Sequence, residues 1–193
     1  MDTKTIVNCL IIVLLFSSFN FNNKLEKENN SKSAIDNEDF SYILNYFDRI
    51  VKTKCNSFEI WQCYNYFCDD IQNQISKRGQ ITIDTFGLDS VLTIAIKNKI
   101  LNKTIGKARN NQGLWNEKTF YQINLEGKFS AFLKEQAEND KFVSLYYDKL
   151  KLIGDIGPSA FSMMQECQDI NFKDRNIQLI YAMHWITYFA NYY

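Results

Sequence analysis

Few residues in this 193-residue chain could carry nucleophilic or acid–base chemistry. His184 is the only histidine, so any histidine-dependent proton transfer must use its imidazole. A hydrolase would pair His184 with Cys167 as nucleophile or with a nearby carboxylate. However, Ile177, Ile180 and Tyr181 lie at helical spacing from His184, which predicts a histidine packed in a core. No catalytic residue is therefore assigned, and the hydrolase is kept as the alternative function.

The carboxylates and cysteines do not form a recognisable metal or cofactor site. Asp69 and Asp70 are adjacent, so on a helix they point about 100° apart and cannot share one substrate bond. The cysteine spacing contains no C-x-x-C pair, and one histidine is too few for the usual zinc sites. The sequence predicts neither a bound metal nor a cofactor.

Four cysteines that follow the first twenty residues could form disulfides: Cys55, Cys63, Cys68 and Cys167. Two bridges allow three connectivities, and four buried free thiols are the alternative. Cys68 lies on the apolar face of a predicted helix, whereas Cys63 lies off it. If one bridge reaches Cys167 from the core side, Cys68 is the better-placed partner, which would leave Cys55 to pair with Cys63; the sequence does not fix the connectivity.

The N-terminus predicts export. The run Ile6–Phe16 is apolar except for Asn8, follows Lys4, and is succeeded by polar sequence, as in a secretory signal peptide. The first twenty residues, 1–20, are therefore expected to be a leader, with a retained anchor or a misleading cytosolic N-terminus as alternatives. The apolar stretch is shorter than the roughly 18 residues of a membrane-spanning helix, so no membrane span is expected in the mature chain. The predicted location is periplasmic or secreted.

The organisation behind the leader is simple. Residues 21–37 are rich in Asn, Lys, Glu and Ser, which predicts a flexible tether. Residues 38–193 have the length of one domain. One proline and seven glycines leave few helix breakers, which favours a single all-α domain of six to seven helices. A stack of helical repeats is a minor alternative. Lys plus Arg balance Asp plus Glu at 22 each, which argues against nucleic acid as a partner.

Hydrophobic periodicity predicts the positions of the helices. A first apolar stripe runs from Phe40 to Val51, and a second from Ile60 to Ile75, joined by a short turn that favours an antiparallel hairpin. Ile81–Phe86 contains an alternation that is compatible with a short strand. The predicted segments after it are a helix at Leu88–Leu101, an exposed loop at Asn102–Gly113, a helix at Trp115–Ala137, and helices at Asp140–Ile153, Ser159–Cys167 and Asp174–Asn191. In the block Trp115–Ala137 a strand is the alternative, because Tyr121, Ile123 and Leu125 alternate. The last is apolar on all sides, which predicts a central helix.

One charged stretch stands out as a binding candidate. Five cations without an intervening acid run from the third helix into the predicted loop, and an aromatic residue follows: Lys97, Lys99, Lys103, Lys107, Arg109 and Trp115. A solvated helix end is the ordinary explanation of such charges. The alternative is a docking patch for an acidic protein surface or a polyanion, with Trp115 as the anchor.

These observations favour an exported, non-enzymatic protein-binding domain. An inhibitor- or immunity-type protein that neutralises a toxin or a hydrolase would have this character. That particular role is an expectation by analogy with other small exported helical domains.

Overall fold

The computed structural model describes residues 38–78, 81–109 and 112–192, so the predicted leader and tether lie outside the described residues. All described residues belong to one compact unit that spans Ala34–Tyr193. Their elements are α1 (Glu38–Lys52), α2 (Ile60–Arg78), α3 (Leu88–Lys97), β1 (Leu101–Arg109), β2 (Trp115–Ile123), α4 (Lys128–Ala137), α5 (Lys141–Ile153), α6 (Pro158–Met163) and α7 (Arg175–Tyr192). The described part is thus mostly helical.

Helix α1 forms where the sequence predicts it. Its apolar residues recur every three or four positions and are buried along one side. Glu38 and Asp39 occupy the first turn and Arg49 and Lys52 the last, so the charges complement the helix dipole at both ends. The predicted second helix is also confirmed, as α2.

Helix α7 is the centre of the core. Twelve of its 18 residues are buried, and they lie on every side of the helix. Trp185 and Tyr181 are fully enclosed, and the Tyr181 ring lies 6.1 Å from the ring of Phe47 in α1. The predicted central helix is confirmed. Its burial on all sides explains why its sequence shows no polar face.

The ends of α5 and α6 follow their local sequence. The Asp140 carboxylate accepts a hydrogen bond from the Val143 N–H at 3.0 Å and caps α5. Gly154 ends α5 with φ of 76°, a left-handed conformation that glycine adopts without strain. Pro158 opens α6, where its missing N–H is not needed. The α6 helix ends at Met163, before the predicted limit at Cys167.

The all-α class needs a correction, because the chain forms an antiparallel β-hairpin from β1 and β2. The loop predicted at Asn102–Gly113 is wrong over Asn102–Arg109, which is strand. The helix predicted at Trp115–Ala137 is wrong as far as Ile123, which ends β2, and right from Lys128 onward. Most residues of the two strands are exposed, whichever face of the sheet their side chains occupy. The strands therefore lack the pattern of one buried apolar face and one polar face by which a strand is usually recognised.

The third helix is also shorter than predicted. It ends at Lys97, and Lys99 takes a φ of 57° that turns the chain from the helix into β1. At Ile81–Phe86 the structure shows no strand; the chain is irregular there.

Two disulfides link the described cysteines. Cys55 pairs with Cys63 across a Cα–Cα distance of 5.4 Å, and Cys68 pairs with Cys167 at 5.8 Å. This is the connectivity favoured for a bridge that reaches Cys167 from the core side, but Cys63 is as fully buried as Cys68, so the expectation that Cys63 lies off the apolar face is wrong. The second bridge ties α2 to the short 3₁₀ turn Cys167–Asp169. Within the described ranges, none of the helices has the length and apolar character needed to span a membrane.

Candidate functional site

The hairpin brings the predicted binding residues onto one face. The strands pair from Leu101 opposite Ile123 to Arg109 opposite Trp115. Side chains of directly paired residues lie on the same face of a sheet. We define the cationic face of the hairpin as the exposed side chains on that side: Lys103, Ile105, Lys107, Arg109, Trp115 and Glu117. Three of the five predicted cations and the predicted aromatic residue are therefore together.

The two remaining predicted cations lie before the hairpin. Lys97 is the last residue of α3 and Lys99 occupies the turn into β1, and both are exposed. They are close to the base of the hairpin in sequence but are not members of its cationic face.

Large apolar side chains are exposed beside the cations. Ile105 retains 73% of its surface, Trp115 62% and Leu114 60%. The Arg109 guanidinium lies 5.1 Å from the centre of the Trp115 ring, within the range of a cation–π contact. Ile105 and Leu114 were not among the residues predicted for the site. The recurrence of Lys103, Lys107 and Arg109 at even spacing was the available signal, because even spacing places strand residues on one face.

The base of the hairpin is fixed to the helical core. Leu101 and Ile123 are buried, which places the first pair of the ladder inside the protein. The Asn191 side chain of α7 makes two bonds to the backbone of Tyr121. It accepts from the Tyr121 N–H at 2.8 Å and donates to the Tyr121 carbonyl at 2.7 Å. The cationic face is thus carried by a hairpin with a rigidly held base.

Phe120 and Lys118 stabilise the opposite face. A Cβ added at Gly106 would lie 3.0 Å from the Phe120 ring, so glycine allows that ring to cover the backbone of β1. The Lys118 ammonium lies 5.7 Å from the centre of the Tyr192 ring in α7. The first contact lies within the sheet, and the second holds the sheet against the end of the last helix.

The charge of this region is strongly positive in a chain that is neutral overall. Residues 97–123 contain six cations and a single carboxylate, Glu117. The three salt bridges among described residues are Lys54–Asp70, Lys128–Asp39 and Arg175–Asp48, so none of them includes a cation of the hairpin. The positive potential is therefore concentrated on one projecting element.

The two residues named for the alternative hydrolase, His184 and Cys167, lie away from the hairpin. Cys167 is bonded to Cys68 and has no thiol to act as a nucleophile. His184 is fully buried, and its Nδ1 lies 3.2 Å from the Tyr146 hydroxyl. Its ring is packed beside Phe161 and Trp185. His184 is thus enclosed by the core, and the Cys167 sulfur is already bonded.

An open groove of about 690 Å³ lies between α5 and the region of α6, but it does not support the hydrolase alternative. Its lining includes Lys141, Lys149, Ser159, Glu166 and Asp169. It includes neither His184 nor a cysteine. No group of three or more potential metal ligands occurs in the part of the chain that the structure describes.

The buried His184 should make stability sensitive to acid. Burial lowers its pKa from 6.5 to about 3, so below pH 6.5 the unfolded chain binds a proton that the folded chain does not. The neutral His184 therefore contributes to the free energy of unfolding. Its contribution is complete above pH 6.5 and decreases by about 1.4 kcal/mol for each pH unit below that value. We expect His184→Asn, which keeps a polar group near Tyr146, to lack this contribution.

The measurement is the free energy of unfolding in urea at about pH 7 and pH 5. The wild type should lose about 2 kcal/mol more than His184→Asn between these values. An equal loss in both proteins would show that His184 does not control the acid sensitivity.

The chain shows no match to any family model, and searches of curated proteins and of solved structures find no significant similarity. The class of protein is therefore defined by its architecture alone. It is a disulfide-linked helical domain that presents a cationic β-hairpin.

Proposed function

We propose that this protein is an exported protein-binding domain that docks the cationic face of its hairpin onto an acidic surface of a partner protein. The observation that carries the proposal is the composition of that face. Three cations lie beside Ile105 and Trp115, both more than half exposed, on an element that extends from a fixed base.

The mixture of side chains suits a protein interface. Trp and Arg are the residues most often responsible for binding energy, and the Arg109–Trp115 pair supplies both in one contact. The surrounding lysines would steer an acidic partner and increase the association rate at low salt. A flat cluster of lysines alone would not offer the apolar area that Ile105 and Trp115 provide.

The location and the particular role are parts of the same proposal. Two disulfides are typical of proteins that fold in an oxidising compartment, which supports export together with the leader predicted at 1–20. An inhibitor- or immunity-type role is supported by the shape of the site, because a hairpin that projects from a rigid base can enter a concave surface on a toxin or hydrolase.

The test removes the charge of the face without moving the core. In the triple variant Lys103→Gln, Lys107→Gln, Arg109→Gln, we expect affinity for the native partner to fall about 10- to 100-fold, because both steering and the Arg109–Trp115 contact are lost. The control is Lys77→Gln, Lys134→Gln, Lys151→Gln, which removes the same charge from exposed helical positions.

The measurement is capture from host extract followed by titration of the purified partner by calorimetry. A partner that binds both triple variants and the wild type equally would refute the hairpin as the binding surface. Raising the salt concentration should weaken wild-type binding more than binding of the hairpin variant, since exposed charges are screened.

A further inference from the structure

We infer that the outer edge of β1 binds an extended acidic segment of the partner as an added antiparallel β-strand. This inference rests on the proposed function and specifies how the hairpin would recognise its partner. It depends on three features: the direction of the backbone groups, the open edge, and the order of side chains along β1.

The direction of the backbone groups follows from two contacts. The backbone N–H and C=O of Tyr121 both bind the Asn191 side chain, so they point away from β1. Lys103 lies directly opposite Tyr121, and two opposite residues of an antiparallel pair either bond to each other or both point outward. The N–H and C=O of Lys103 therefore also point outward. Just before β1, the Ile100 carbonyl accepts a hydrogen bond from the Asn124 N–H at 2.9 Å. The backbone groups of even-numbered residues on the β1 side of the hairpin therefore point toward β2. Odd-numbered residues of β1 therefore direct their backbone groups to the outer edge.

The two edges of the hairpin differ. Asn191 occupies the outer edge of β2 at Tyr121 and blocks a strand from pairing there. Along β1, no hydrogen bond from a described residue reaches the outward backbone groups of Lys103, Ile105 or Lys107. All three side chains are exposed, so no element within the described ranges covers this edge. Unpaired strand edges of this kind accept an additional strand.

The side chains of β1 select the occupant. In an added antiparallel strand, residues opposite Lys103, Lys107 and Arg109 would have their Cβ atoms about 5 Å away on the same face. Carboxylates at those positions, with an apolar residue opposite Ile105, complement the edge. A second copy of β1 would instead place cations in a row beside cations, which is unfavourable. An acidic segment of a different protein is therefore favoured over self-association.

The probe is the synthetic peptide Thr-Glu-Thr-Glu-Thr-Val-Thr-Glu-Thr with blocked ends, which matches β1 in the antiparallel direction. Its control has the same composition with the three Glu residues adjacent. Amide hydrogen exchange of the full chain is followed by NMR. Saturating matched peptide should slow exchange at Lys103, Ile105 and Lys107 about tenfold. Thr104 and Gly106, already bonded to β2, should change little, and the rearranged peptide should protect none of them.

A pair of variants isolates the backbone contribution. Ile105→Pro removes one outward N–H without removing a bond to β2, since proline is tolerated at an open edge. Ile105→Ala removes the same side chain and keeps the N–H. The proline variant should bind the matched peptide at least about tenfold more weakly than the alanine variant. Faster exchange at Thr104 and Gly106 would show that the proline disturbs the hairpin. In that case the exchange experiment on the wild type decides whether the peptide adds as a strand.

The possible results separate this inference from the proposed function. Three results would overturn strand addition: equal binding of both peptides, binding without protection of the outward amides, or no binding at about 1 mM peptide. Protection that rises with protein concentration in the absence of peptide would assign the edge to a second copy and would also overturn it. In each of these cases the charge-neutralised triple variant, assayed with the native partner, still decides independently whether the hairpin is the binding surface.

Discussion

Replacing Cys68 and Cys167 together by alanine should lower the free energy of unfolding by about 4 to 5 kcal/mol. The bridge joins residues 99 positions apart, and closing so long a loop removes much of the entropy of the unfolded chain. Cys68 is also fully buried in α2. Alanine is preferred to serine because a hydroxyl in that apolar environment would add a second cost.

The matched control is the other disulfide. Cys55 and Cys63 are 8 positions apart, so the same model expects their removal to cost about 2 kcal/mol less than removal of the long-range bridge. Urea unfolding of both double-alanine variants measures the difference. Equal losses in the two variants would show that loop length does not govern the contribution of the bridges here. The variant without the long-range bridge should also have a larger denaturant slope, because its unfolded state is less compact.

Asp48→Asn should cost about 3 kcal/mol, because it leaves the Arg175 guanidinium without its ion-pair partner in a mostly buried position. Asp48 accepts hydrogen bonds from Nη1 of Arg175 at 2.9 Å, from Nη2 at 2.6 Å and from the Tyr64 hydroxyl at 2.9 Å. These bonds connect α1, α2 and α7. The pKa of Arg175 is raised despite burial, because the hydrogen bonds and charge of Asp48 favour its charged form.

Asp70→Asn provides the control with the same chemical change. Asp70 pairs with Lys54 at 2.8 Å, but the Lys54 side chain is half exposed, so its charge stays solvated when the partner is removed. The expected cost is below about 1 kcal/mol. Thermal or urea unfolding of both variants at neutral pH measures the two values. Similar costs at the two positions would contradict the importance of burial for the Asp48–Arg175 pair.

Local sequence patterns were sufficient to predict the positions of most of the helices. The stripes that became α1 and α2 bury one side and expose the other, so their period is visible in the residue order. Asp140, Gly154 and Pro158 act on backbone groups within a few residues of themselves, and their effects could be predicted without knowledge of the fold. The disulfide connectivity stayed open among three pairings, because Cys63 and Cys68 are both fully buried in α2 and residue order does not show which of them lies against Cys167.

The hairpin could not be predicted in the same way. Ile105 and Thr104 point to opposite faces of β1 and are both exposed, so burial does not alternate from one face to the other there. Tyr121 near the end of β2 lies at helical spacing from Leu125 and from Phe129 in α4, which favoured one helix across this region. The structure is decided by the pairing of the two strands and by the hydrogen bonds between Tyr121 and Asn191, which are 70 positions apart.

The sequence by itself determined the mostly helical character, the ends of several helices, the four cysteines available for disulfides and the presence of an unusually basic stretch. Each depends on residue type and on interactions over a few positions. Only the tertiary structure decided that Lys103, Lys107, Arg109 and Trp115 share a strand face, because the two-residue period has that meaning only once β1 pairs with β2. The core likewise decided the state of His184, since burial and not residue type lowers its pKa.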